Sequence, residues 1–324
     1  MILLTGATGF LGSHLMRELH ERQIPLSTIA RRVTDDLKQH PCFLVDAISS
    51  STQYLNVFSG VECVVHCAAR VHMMNDDSES PLEAFRETNT RATLNLAQQA
   101  ADAGVKRFVF ISSIKVNGEE TFDKPYTADD APNPSDPYGV SKYEAEEELL
   151  KLAKITGLEI VIIRPPLVYG PGVKANFKSL IKLVSKGLPI PLGAVKNNSR
   201  SVVGLDNLVD FVITCTTHPK AVSQKFLVSD SKSLSTSELI KAIASSMSKK
   251  VILIPIPQWM FNIAGVLLSK KDVVQRLFSS LEVDISKNKD LLGWEPPYST
   301  EEILKKTTNY YLSKSSRPSK EGSC

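Results

Sequence analysis

Across the first two-thirds of the chain, short apolar runs alternate with longer stretches in which apolar residues recur every three or four positions. Runs rich in Val and Ile are typical of buried strands, and the longer stretches have the period of amphipathic helices. The runs predict six strands, at Ile2–Thr5, Leu26–Ala30, Cys42–Val45, Glu62–His66, Arg107–Ser112 and Glu159–Ile163. The periodic stretches predict three helices, at Leu11–Arg22, Leu82–Ala103 and Tyr138–Thr156. Such alternation builds βαβ units, so we expect an α/β fold with a doubly wound parallel sheet.

The pattern changes after Ile163, where Pro and Gly become frequent. We therefore predict two domains, the first over residues 1–165 together with a returning segment at about 201–224. The second is a smaller mixed α/β lobe at the C-terminal side, built from residues 166–200 and 225–312. Residues 313–324 are mostly polar, and we expect a disordered tail there.

One mostly apolar segment, Val251–Leu268, has the composition of a candidate membrane span. Pro255 and Pro257 interrupt it, and Gln258 and Asn262 lie within it. Because proline breaks helices and polar groups are costly in lipid, we predict a buried strand followed by a helix rather than a span.

Composition and charge narrow the classes of function. Of the 324 residues 42% are hydrophobic, which is enough for a large core, and the formal net charge is only +3. That balance argues against a nucleic-acid partner or a membrane-surface role carried by bulk charge. The lysine pairs at 249–250, 270–271 and 305–306 lie far apart in the sequence, and we interpret them as solvated helix ends. The five cysteines lack metal-ligand spacing, so we expect a cytoplasmic protein without a metal site.

A glycine-rich turn follows the first predicted strand. Between a strand and a helix, such a turn lets backbone N–H groups approach a pyrophosphate, and the helix N-terminus adds partial positive charge. The last glycine of the turn also lets the helix pack closely on the strand. We therefore predict that this turn binds a dinucleotide through Gly6, Thr8, Gly9, Phe10, Leu11 and Gly12.

The second predicted strand is followed by Arg31 and Arg32 rather than by an acidic residue. An acid at this place binds the 2′-hydroxyl of NAD, whereas two guanidinium groups suit the 2′-phosphate of NADP. We predict NADP(H) as the preferred cofactor and NAD(H) as the other candidate, with two plain surface arginines as the alternative interpretation. Asp46, after the third strand, is a candidate acceptor for the adenine amino group, and Ala68 and Ala69, after the fourth, leave room for the cofactor.

Tyr138 and Lys142 lie four residues apart on a predicted helix, so their side chains share one helix face. A free phenol has a pKa of about 10, and a nearby ammonium together with an oxidised nicotinamide favours the phenolate. Tyr138 can then exchange a proton with a carbinol while hydride moves. Ser113, after the fifth predicted strand, would hydrogen-bond the same oxygen, and Lys142 would also hold the nicotinamide ribose. These three residues are the predicted catalytic set.

Together with other motifs, these features resemble the extended short-chain dehydrogenases/reductases, in the branch of nucleotide-sugar epimerases and dehydratases. The resemblance runs from Gly6 to about Tyr310. The residues that carry it are Gly6–Gly12, His66–Ala69, Asn89, Ser112-Ser113, Tyr138, Lys142, Arg164–Pro171 and Leu292–Trp294. It implies a Rossmann fold, a smaller lobe that binds a UDP-sugar, and a homodimer formed through the second and third predicted helices.

The resemblance also implies where the ligands bind. It adds Ala47 and Pro165 to the residues at the cofactor, beside Tyr138 and Lys142. For the UDP-sugar it implies contacts from Arg70, His72, Lys115, Asn176, Phe177, Leu192, Arg200 and Arg276. Asn176 and Phe177 would contact the diphosphate, Leu192 would flank the base, and the two later arginines would neutralise phosphate charge. A structural His72 and a surface Arg276 stay open as alternatives.

Three departures from the family pattern bear on the reaction. Ile114 and Lys115 stand where dehydratases of this branch carry Asp-Glu, so we do not expect dehydration. Asn117 and Leu167 stand where epimerases often have Tyr and Asn. Because the chain also looks similar to bacterial 4-ketoreductases, we predict a reductase of a UDP-4-keto-6-deoxy-N-acetylhexosamine in surface-polysaccharide biosynthesis. The alternative is a 4-epimerase of UDP-glucose or a UDP-N-acetylhexosamine, and the remote alternative is a non-catalytic dinucleotide-sensing protein.

Overall fold

A seven-stranded parallel β-sheet organises the protein in a computed structural model, which describes residues 1–71, 80–269 and 271–315. The strands are β1 (Ile2–Thr5), β2 (Leu26–Ala30), β3 (Cys42–Leu44), β4 (Cys63–His66), β5 (Arg107–Ile111), β6 (Glu159–Arg164), β7 (Leu167–Tyr169), β8 (Val202–Gly204) and β9 (Lys225–Leu227). The sheet order is β3-β2-β1-β4-β5-β6-β9, and β7 and β8 form a separate parallel pair. The order reverses between β1 and β4, and doubly wound sheets bind ligands at the carboxyl ends of strands beside such a reversal.

Helices surround the sheet and form most of the lobe. They are α1 (Phe10–Glu21), α2 (Pro81–Phe85), α3 (Ala92–Asp102), α4 (Pro137–Thr156), α5 (Ala175–Ser185), α6 (Leu205–Thr217), α7 (Thr236–Ser246), α8 (Gln258–Leu267), α9 (Lys271–Phe278), α10 (Ser286–Leu292) and α11 (Thr300–Ser315). A π-helical turn, Arg86–Arg91, joins α2 to α3. Short 3₁₀ helices lie at Asp35–Leu37, Ile114–Val116 and Pro219–Ala221.

Two hydrophobic cores lie on opposite faces of the sheet, and a third fills the lobe. On one face α1 and α6 pack against the strands, with Leu15 fully buried. On the other face α3 and α4 do the same, with Leu96 fully buried. The third core gathers buried residues of α5, α7 and α11, including Ile243. The predicted α/β fold class is therefore confirmed. A parallel sheet that is covered on both faces also explains the continuous apolar runs in the sequence.

The predicted strands and helices are confirmed to within one residue at their ends, although the π-helical turn interrupts the second helix. The sequence pattern does not predict β7, β8 or β9. Strand β9 pairs with β6, so the sheet extends past the boundary that we placed at residue 224. Helix α11 continues through Ser315, so disorder is the wrong prediction for residues 313–315, and residues 316–324 lie outside the described residues.

The segment Val251–Leu268 departs from its prediction. Leu253 forms a single bridge to Ile190, and its neighbours Ile252 and Ile254 are exposed rather than buried. Helix α8 follows as predicted, but most of its apolar side chains face water. Among the described residues, no helix combines the length and the hydrophobicity needed to span a membrane.

Candidate active site

The glycine-rich turn forms a tight cradle at the carboxyl end of β1. Gly6 has a φ of +72°, and a Cβ there would lie 2.7 Å from the backbone nitrogen of Ala68. A Cβ on Gly12 would lie 2.1 Å from the carbonyl oxygen of Gly6. Gly9 precedes α1 and offers no side-chain cap, so the N–H groups of the first turn remain available to an anion. The cradle therefore fits a pyrophosphate, as the sequence predicts.

The other predicted cofactor residues lie just after neighbouring strands of the sheet. In strand order from β2 through β3 and β4 to β6, they are Arg31, Arg32, Asp46, Ala47, Ala68, Ala69 and Pro165. Arg31, Arg32 and Asp46 are exposed, so their side chains are accessible to a ligand. The structure thus brings these residues to the carboxyl edge of the sheet, and their contacts with a dinucleotide stay predictions.

The predicted catalytic residues meet where β5 ends beside the start of α4. Ser113 caps the 3₁₀ helix, and its hydroxyl accepts from the backbone N–H of Lys115 at 3.3 Å. Tyr138, in the first turn of α4, is partly exposed, and its phenol lies close enough to the Ser113 hydroxyl for that group to lower its pKa. Lys142 lies one turn further along α4 and is buried, and its ammonium donates to the carbonyl oxygen of Ile111 at 2.8 Å. The structure therefore brings the three predicted residues together.

Burial sets the protonation of the tyrosine and the lysine. It is the main cause that raises the pKa of Tyr138 to about 12, while the Asp136 carboxylate adds to the rise and the Ser113 hydrogen bond opposes it. Burial also lowers the pKa of Lys142 to about 8, against the attraction of nearby acidic groups. The protein's own groups therefore favour the protonated form of Tyr138 at neutral pH. The predicted phenolate also depends on an oxidised nicotinamide, so it stays a prediction.

A buried ion pair links the elements that carry the catalytic residues. Arg164, at the end of β6, and Glu146, on α4, are both fully buried, and the guanidinium Nε donates to the carboxylate at 2.9 Å. The same carboxylate accepts from the hydroxyl of Ser112 at 2.5 Å. Glu146 follows Lys142 by one helical turn, and Ser112 precedes Ser113. The pair therefore fixes α4 against β5 and β6 close to the catalytic residues.

The two departures from the epimerase pattern have different environments. Asn117 is buried, its side-chain oxygen accepts from Arg164 at 2.9 Å, and its amide donates to the carbonyl of Thr127 at 3.0 Å. Leu167, at the start of β7, is exposed. Asn117 therefore extends the buried network, whereas the side chain of Leu167 is open to a ligand.

The π-helical turn before α3 presents Asn89, which our sequence reasoning does not select as a site residue. Asn89 accepts from the N–H of Arg70 at 2.8 Å and donates to the Arg70 carbonyl at 3.0 Å. It also donates to the hydroxyl of Ser141 on α4 at 3.1 Å. These bonds fasten the loop after β4 to the helix of Tyr138, and π-helical turns are frequent at functional sites. Its place among the family-like motifs is the signal that could have identified it.

Lys115, predicted to contact the UDP-sugar, pairs with protein carboxylates in the structure. Its ammonium donates to Glu119 at 2.9 Å and also to Asp136. Asp136 caps α4 and accepts from the N–H of Gly139 at 2.6 Å. Lys115 therefore balances the acidic cap beside Tyr138, and its contact with a substrate stays a prediction.

The lobe residues predicted to bind the nucleotide differ in what they can offer. Asn176 is exposed, whereas the ring of Phe177 is buried and stacks on Tyr169 with centroids 5.2 Å apart. Both lie in the first turn of α5, where backbone N–H groups lack partners within the helix. Leu192 is buried in the lobe core. The side chains of Phe177 and Leu192 are thus used in the protein core, while their backbones remain available, and their contacts with a ligand stay predictions.

Arg200 and Arg276 lie together at the edge of the lobe. The guanidinium of Arg200 donates to the carbonyl oxygens of Arg276 and Ser279, each at 3.0 Å. Burial lowers the pKa of Arg200, and the neighbouring Arg276 charge acts in the same direction. Two adjacent guanidinium groups suit the predicted phosphate site. His72 lies outside the described residues, and its predicted contact stays a prediction.

Comparisons with known proteins agree with this arrangement. Residues 2–228 match the profile of the NAD dependent epimerase/dehydratase family. A UDP-glucose 4-epimerase from Vibrio cholerae is 47% identical over 317 residues, which cover 98% of this chain and 97% of that protein. The solved UDP-glucose 4-epimerase from Thermotoga maritima, with UDP-glucose, has a TM-score of 0.75 at 24% identity and covers 97% of this chain and 99% of its own. The UDP-glucuronic acid 4-epimerase from Bacillus cereus, in complex with NAD, has a TM-score of 0.77 at 21% identity and coverages of 96% and 98%.

Proposed function

We propose that this chain, which belongs to the NAD-dependent epimerase/dehydratase family, is a UDP-hexose 4-epimerase. The observation that carries the proposal is the 47% identity to the Vibrio cholerae UDP-glucose 4-epimerase over nearly the full length of both chains. This relative favours the alternative of our sequence analysis over the 4-ketoreductase that we placed first. The catalytic set cannot choose between them, since both reactions move hydride and a proton at a carbinol carbon.

NAD is the cofactor in this proposal. The cradle fits a dinucleotide, because its backbone is so tightly packed that a Cβ on Gly6 would collide with Ala68 and a Cβ on Gly12 with Gly6. When bound, NAD supplies the hydride acceptor and donor. The Bacillus cereus neighbour contains NAD. Arg31 and Arg32, both exposed after β2, leave NADP(H) as the competing cofactor, which the relatives do not favour.

Proton transfer at the sugar 4-oxygen belongs to Tyr138 in this mechanism. Its phenolate takes the hydroxyl proton in the oxidising half of the reaction, and its phenol returns a proton in the reducing half. The Ser113 hydroxyl lies beside the phenol, so it is in a position to hold the same sugar oxygen. The positive charge of Lys142, one turn along α4, stabilises the phenolate.

The UDP-sugar would lie between the carboxyl edge of the sheet and the lobe. The free N–H groups of the first turn of α5 would bind the diphosphate, which favours the N-terminus of a helix. Arg200 and Arg276 would balance its charge. Leu167, on β7, is exposed and would contact the sugar in this arrangement. We therefore propose that Leu167 influences which sugar is accepted.

A 4-ketoreductase of a UDP-4-keto-6-deoxy-N-acetylhexosamine is the second candidate. Two observations favour it: the exposed Leu167 replaces a residue common in epimerases, and the raised pKa of Tyr138 suits a proton donor. A reductase takes hydride from an exchangeable reduced cofactor and needs the tyrosine only as an acid. An epimerase retains its cofactor and uses the tyrosine in both directions.

The fate of the cofactor separates the two candidates. The freshly purified protein is denatured, and the dinucleotide that it releases is identified by mass spectrometry. The protein is then given UDP-glucose or UDP-N-acetylglucosamine without added cofactor, and the products are resolved by chromatography. Bound NAD and interconversion of 4-epimers would support the epimerase. Stoichiometric oxidation of added NADPH by the 4-keto sugar, with no epimerisation, would establish the reductase instead, and binding without turnover of either substrate would point to a sensing protein.

A further inference from the structure

Helix α8 turns an apolar face toward solvent, which reverses the usual orientation of a surface helix. Trp259, Ile263, Val266 and Leu267 recur at positions i, i+4, i+7 and i+8, the spacing of one helix face. Their exposures are 61%, 52%, 56% and 78%. Large apolar side chains exposed side by side mark an interaction surface rather than an ordinary protein exterior.

The helix is attached to the lobe by its opposite face. Phe261 packs against Phe278 of α9 with ring centroids 5.4 Å apart, and Gly265 is buried. Rotating the helix to bury its apolar face would withdraw Phe261 from the lobe, so this orientation is built into the packing. The segment that precedes the helix adds two more exposed apolar side chains, Ile252 and Ile254, which are 65% and 42% exposed. We define the apolar patch as Ile252, Ile254, Trp259, Ile263, Val266 and Leu267.

Lysines flank the apolar patch. Segments 174–196 and 249–271 contain five and four lysines, and neither contains Asp or Glu. The structure joins the two segments, since the N–H of Ile190 donates to the carbonyl of Ile252 at 2.9 Å and the ammonium of Lys249 donates to the carbonyl of Ser185. Across residues 1–71, 80–269 and 271–315, none of these lysines forms an ion pair. We define the basic rim by five exposed members of the set, Lys182, Lys186, Lys249, Lys250 and Lys271.

We propose that the apolar patch and the basic rim together bind the surface of an anionic phospholipid membrane. Tryptophan and long aliphatic side chains enter the headgroup layer, while lysines stay in water and attract the anionic lipids. The chain lies on the membrane in this proposal and does not cross it. The net charge of +3 does not indicate this basic surface, because acidic residues elsewhere in the chain offset the lysines of these two segments.

A second copy of this chain suits the surface less well than a membrane does. In a two-fold dimer the same surface lies on both sides of the interface, so the basic rims would come close to one another. Like charges at short range repel, and of the five lysines of the rim only Lys271 has a carboxylate, Asp272, close to it in sequence. An anionic membrane offers opposite charge to the rim and an apolar layer to the patch.

Vesicle sedimentation with the full-length chain tests the proposal. The protein is mixed with vesicles of equal parts phosphatidylglycerol and phosphatidylcholine, and separately with vesicles of phosphatidylcholine alone. We expect sedimentation with the anionic vesicles, weaker as salt rises, and little with the neutral ones. Of the two tryptophans, Trp259 is exposed and Trp294 is buried. Binding should therefore move the tryptophan emission to shorter wavelength through Trp259.

Two double variants test the apolar patch and the basic rim separately. Ile263→Ser with Leu267→Ser removes apolar area, and Lys249→Glu with Lys250→Glu reverses charge on the rim. Each should weaken vesicle binding by roughly tenfold or more. Trp259→Phe should keep most of the sedimentation and lose the emission shift. Circular dichroism confirms that each variant is folded.

Matched controls change the same residue types on the sheet domain. Leu55→Ser and Lys38→Glu alter exposed residues distant in sequence from the patch, and both should bind vesicles like the native chain. The proposal is overturned if the native chain fails to sediment with anionic vesicles at low salt, or if the lysine variant binds them undiminished. It is also overturned if light scattering shows a dimer that the serine double variant dissociates, since the patch would then belong to a second copy.

Discussion

At the scale of single residues, Tyr138 is surrounded by groups with opposite effects on its proton. The ring of Phe85 packs edge-on against the phenol ring, with centroids 6.0 Å apart. Burial and the carboxylate of Asp136 raise the phenol pKa, and the hydrogen bond with Ser113 lowers it. The orientation of the ring therefore depends on packing, whereas its protonation depends on charges that a bound substrate and cofactor would change.

Tyr138→Phe should reduce turnover by about 10²–10⁴-fold, because it removes the acid/base hydroxyl and retains the ring that packs on Phe85. Bound dinucleotide should stay near the native amount, since the cradle of β1 and α1 is untouched. Steady-state kinetics and cofactor content measure the two effects. Tyr143→Phe, on the same helix, is the matched control and should behave like the native chain. Retention of more than half of the activity by Tyr138→Phe would refute the assigned role.

The buried ammonium of Lys142 makes stability depend on pH in a defined window. Its pKa is about 8 in the folded chain against an ordinary value of 10.5, so the unfolded chain binds more protons between these values. The contribution of Lys142 to the free energy of unfolding therefore rises with pH above about 8. We expect the unfolding free energy of the native chain, relative to Lys142→Met, to rise by about 1 kcal/mol between pH 8 and pH 9.

Urea unfolding at a series of pH values measures this difference. The window ends at pH 9, because the thiols of Cys63 and Cys67, whose pKa values are raised to about 12, lower stability at higher pH. Subtracting the Lys142→Met curve removes contributions common to both proteins. If the difference in unfolding free energy between the native chain and Lys142→Met does not change between pH 8 and pH 9, the pKa of Lys142 is not lowered in the folded chain.

The catalytic residues could be predicted from sequence because their geometry is local. Tyr138 and Lys142 are joined by one helical turn, and Ser113 follows an obvious buried strand. The partners of Lys115 could not be predicted in the same way. Its ammonium reaches Asp136, 21 residues away, because the 3₁₀ helix after β5 packs against the start of α4. Such a choice of partner depends on tertiary packing, which no spacing rule contains.

At the scale of elements, the buried Arg164–Glu146 pair holds helix α4 against strands β5 and β6. Burial without water makes each charge costly unless its partner is present. Arg164→Met or Glu146→Leu alone should therefore lower the unfolding free energy by about 3–5 kcal/mol. The double variant should recover much of that loss, because neither charge is then left unpaired. Denaturant unfolding of the four proteins gives the coupling directly.

An exposed ion pair provides the control for this cycle. Lys38 and Asp35 pair at 2.7 Å on the surface, and Lys38→Ala should leave stability unchanged within error. If the losses from Arg164→Met and Glu146→Leu simply add in the double variant, the pair does not act as a unit. Turnover of each folded variant would then show whether the catalytic residues shift when the network is broken.

The long elements could be predicted, and the short ones could not, for a physical reason. Strands β1, β2, β4, β5 and β6 are mostly buried, so each leaves a largely apolar run. Strand β3 has only three residues and is partly exposed, but it lies in the apolar run Cys42–Val45. Strands β7, β8 and β9 have three residues each, too few to show a period, and they form only because neighbouring backbone is in place. The π-helical turn Arg86–Arg91 has an ordinary helical composition, and its widened geometry accompanies the bonds that Asn89 makes.

At the scale of the whole molecule, the sheet domain and the lobe offer different surfaces. The lobe carries the apolar patch and the basic rim. On the sheet domain, α3 and α4 pack side by side on one face, and Leu94 and Leu150 are partly exposed there, with Ile155 exposed at the end of α4. Net charge and overall composition average over these surfaces, so the sequence argued only against a membrane role carried by bulk charge, whereas the proposed one depends on how the lobe groups its side chains.

The resemblance predicts a homodimer through α3 and α4, and the partly exposed Leu94 and Leu150 give that prediction a test. In a two-fold interface each leucine would be buried twice, once in each copy. Leu94→Arg or Leu150→Arg should therefore convert a dimer to monomers, measured as a halved mass by light scattering. Ile263→Ser, on the apolar patch, is the matched control and should leave the mass unchanged. If the native chain is monomeric, or if Ile263→Ser dissociates it while the arginine variants do not, the dimer does not form through α3 and α4. Vesicle binding by a monomeric Leu94→Arg variant would further show that the membrane surface is complete within one chain.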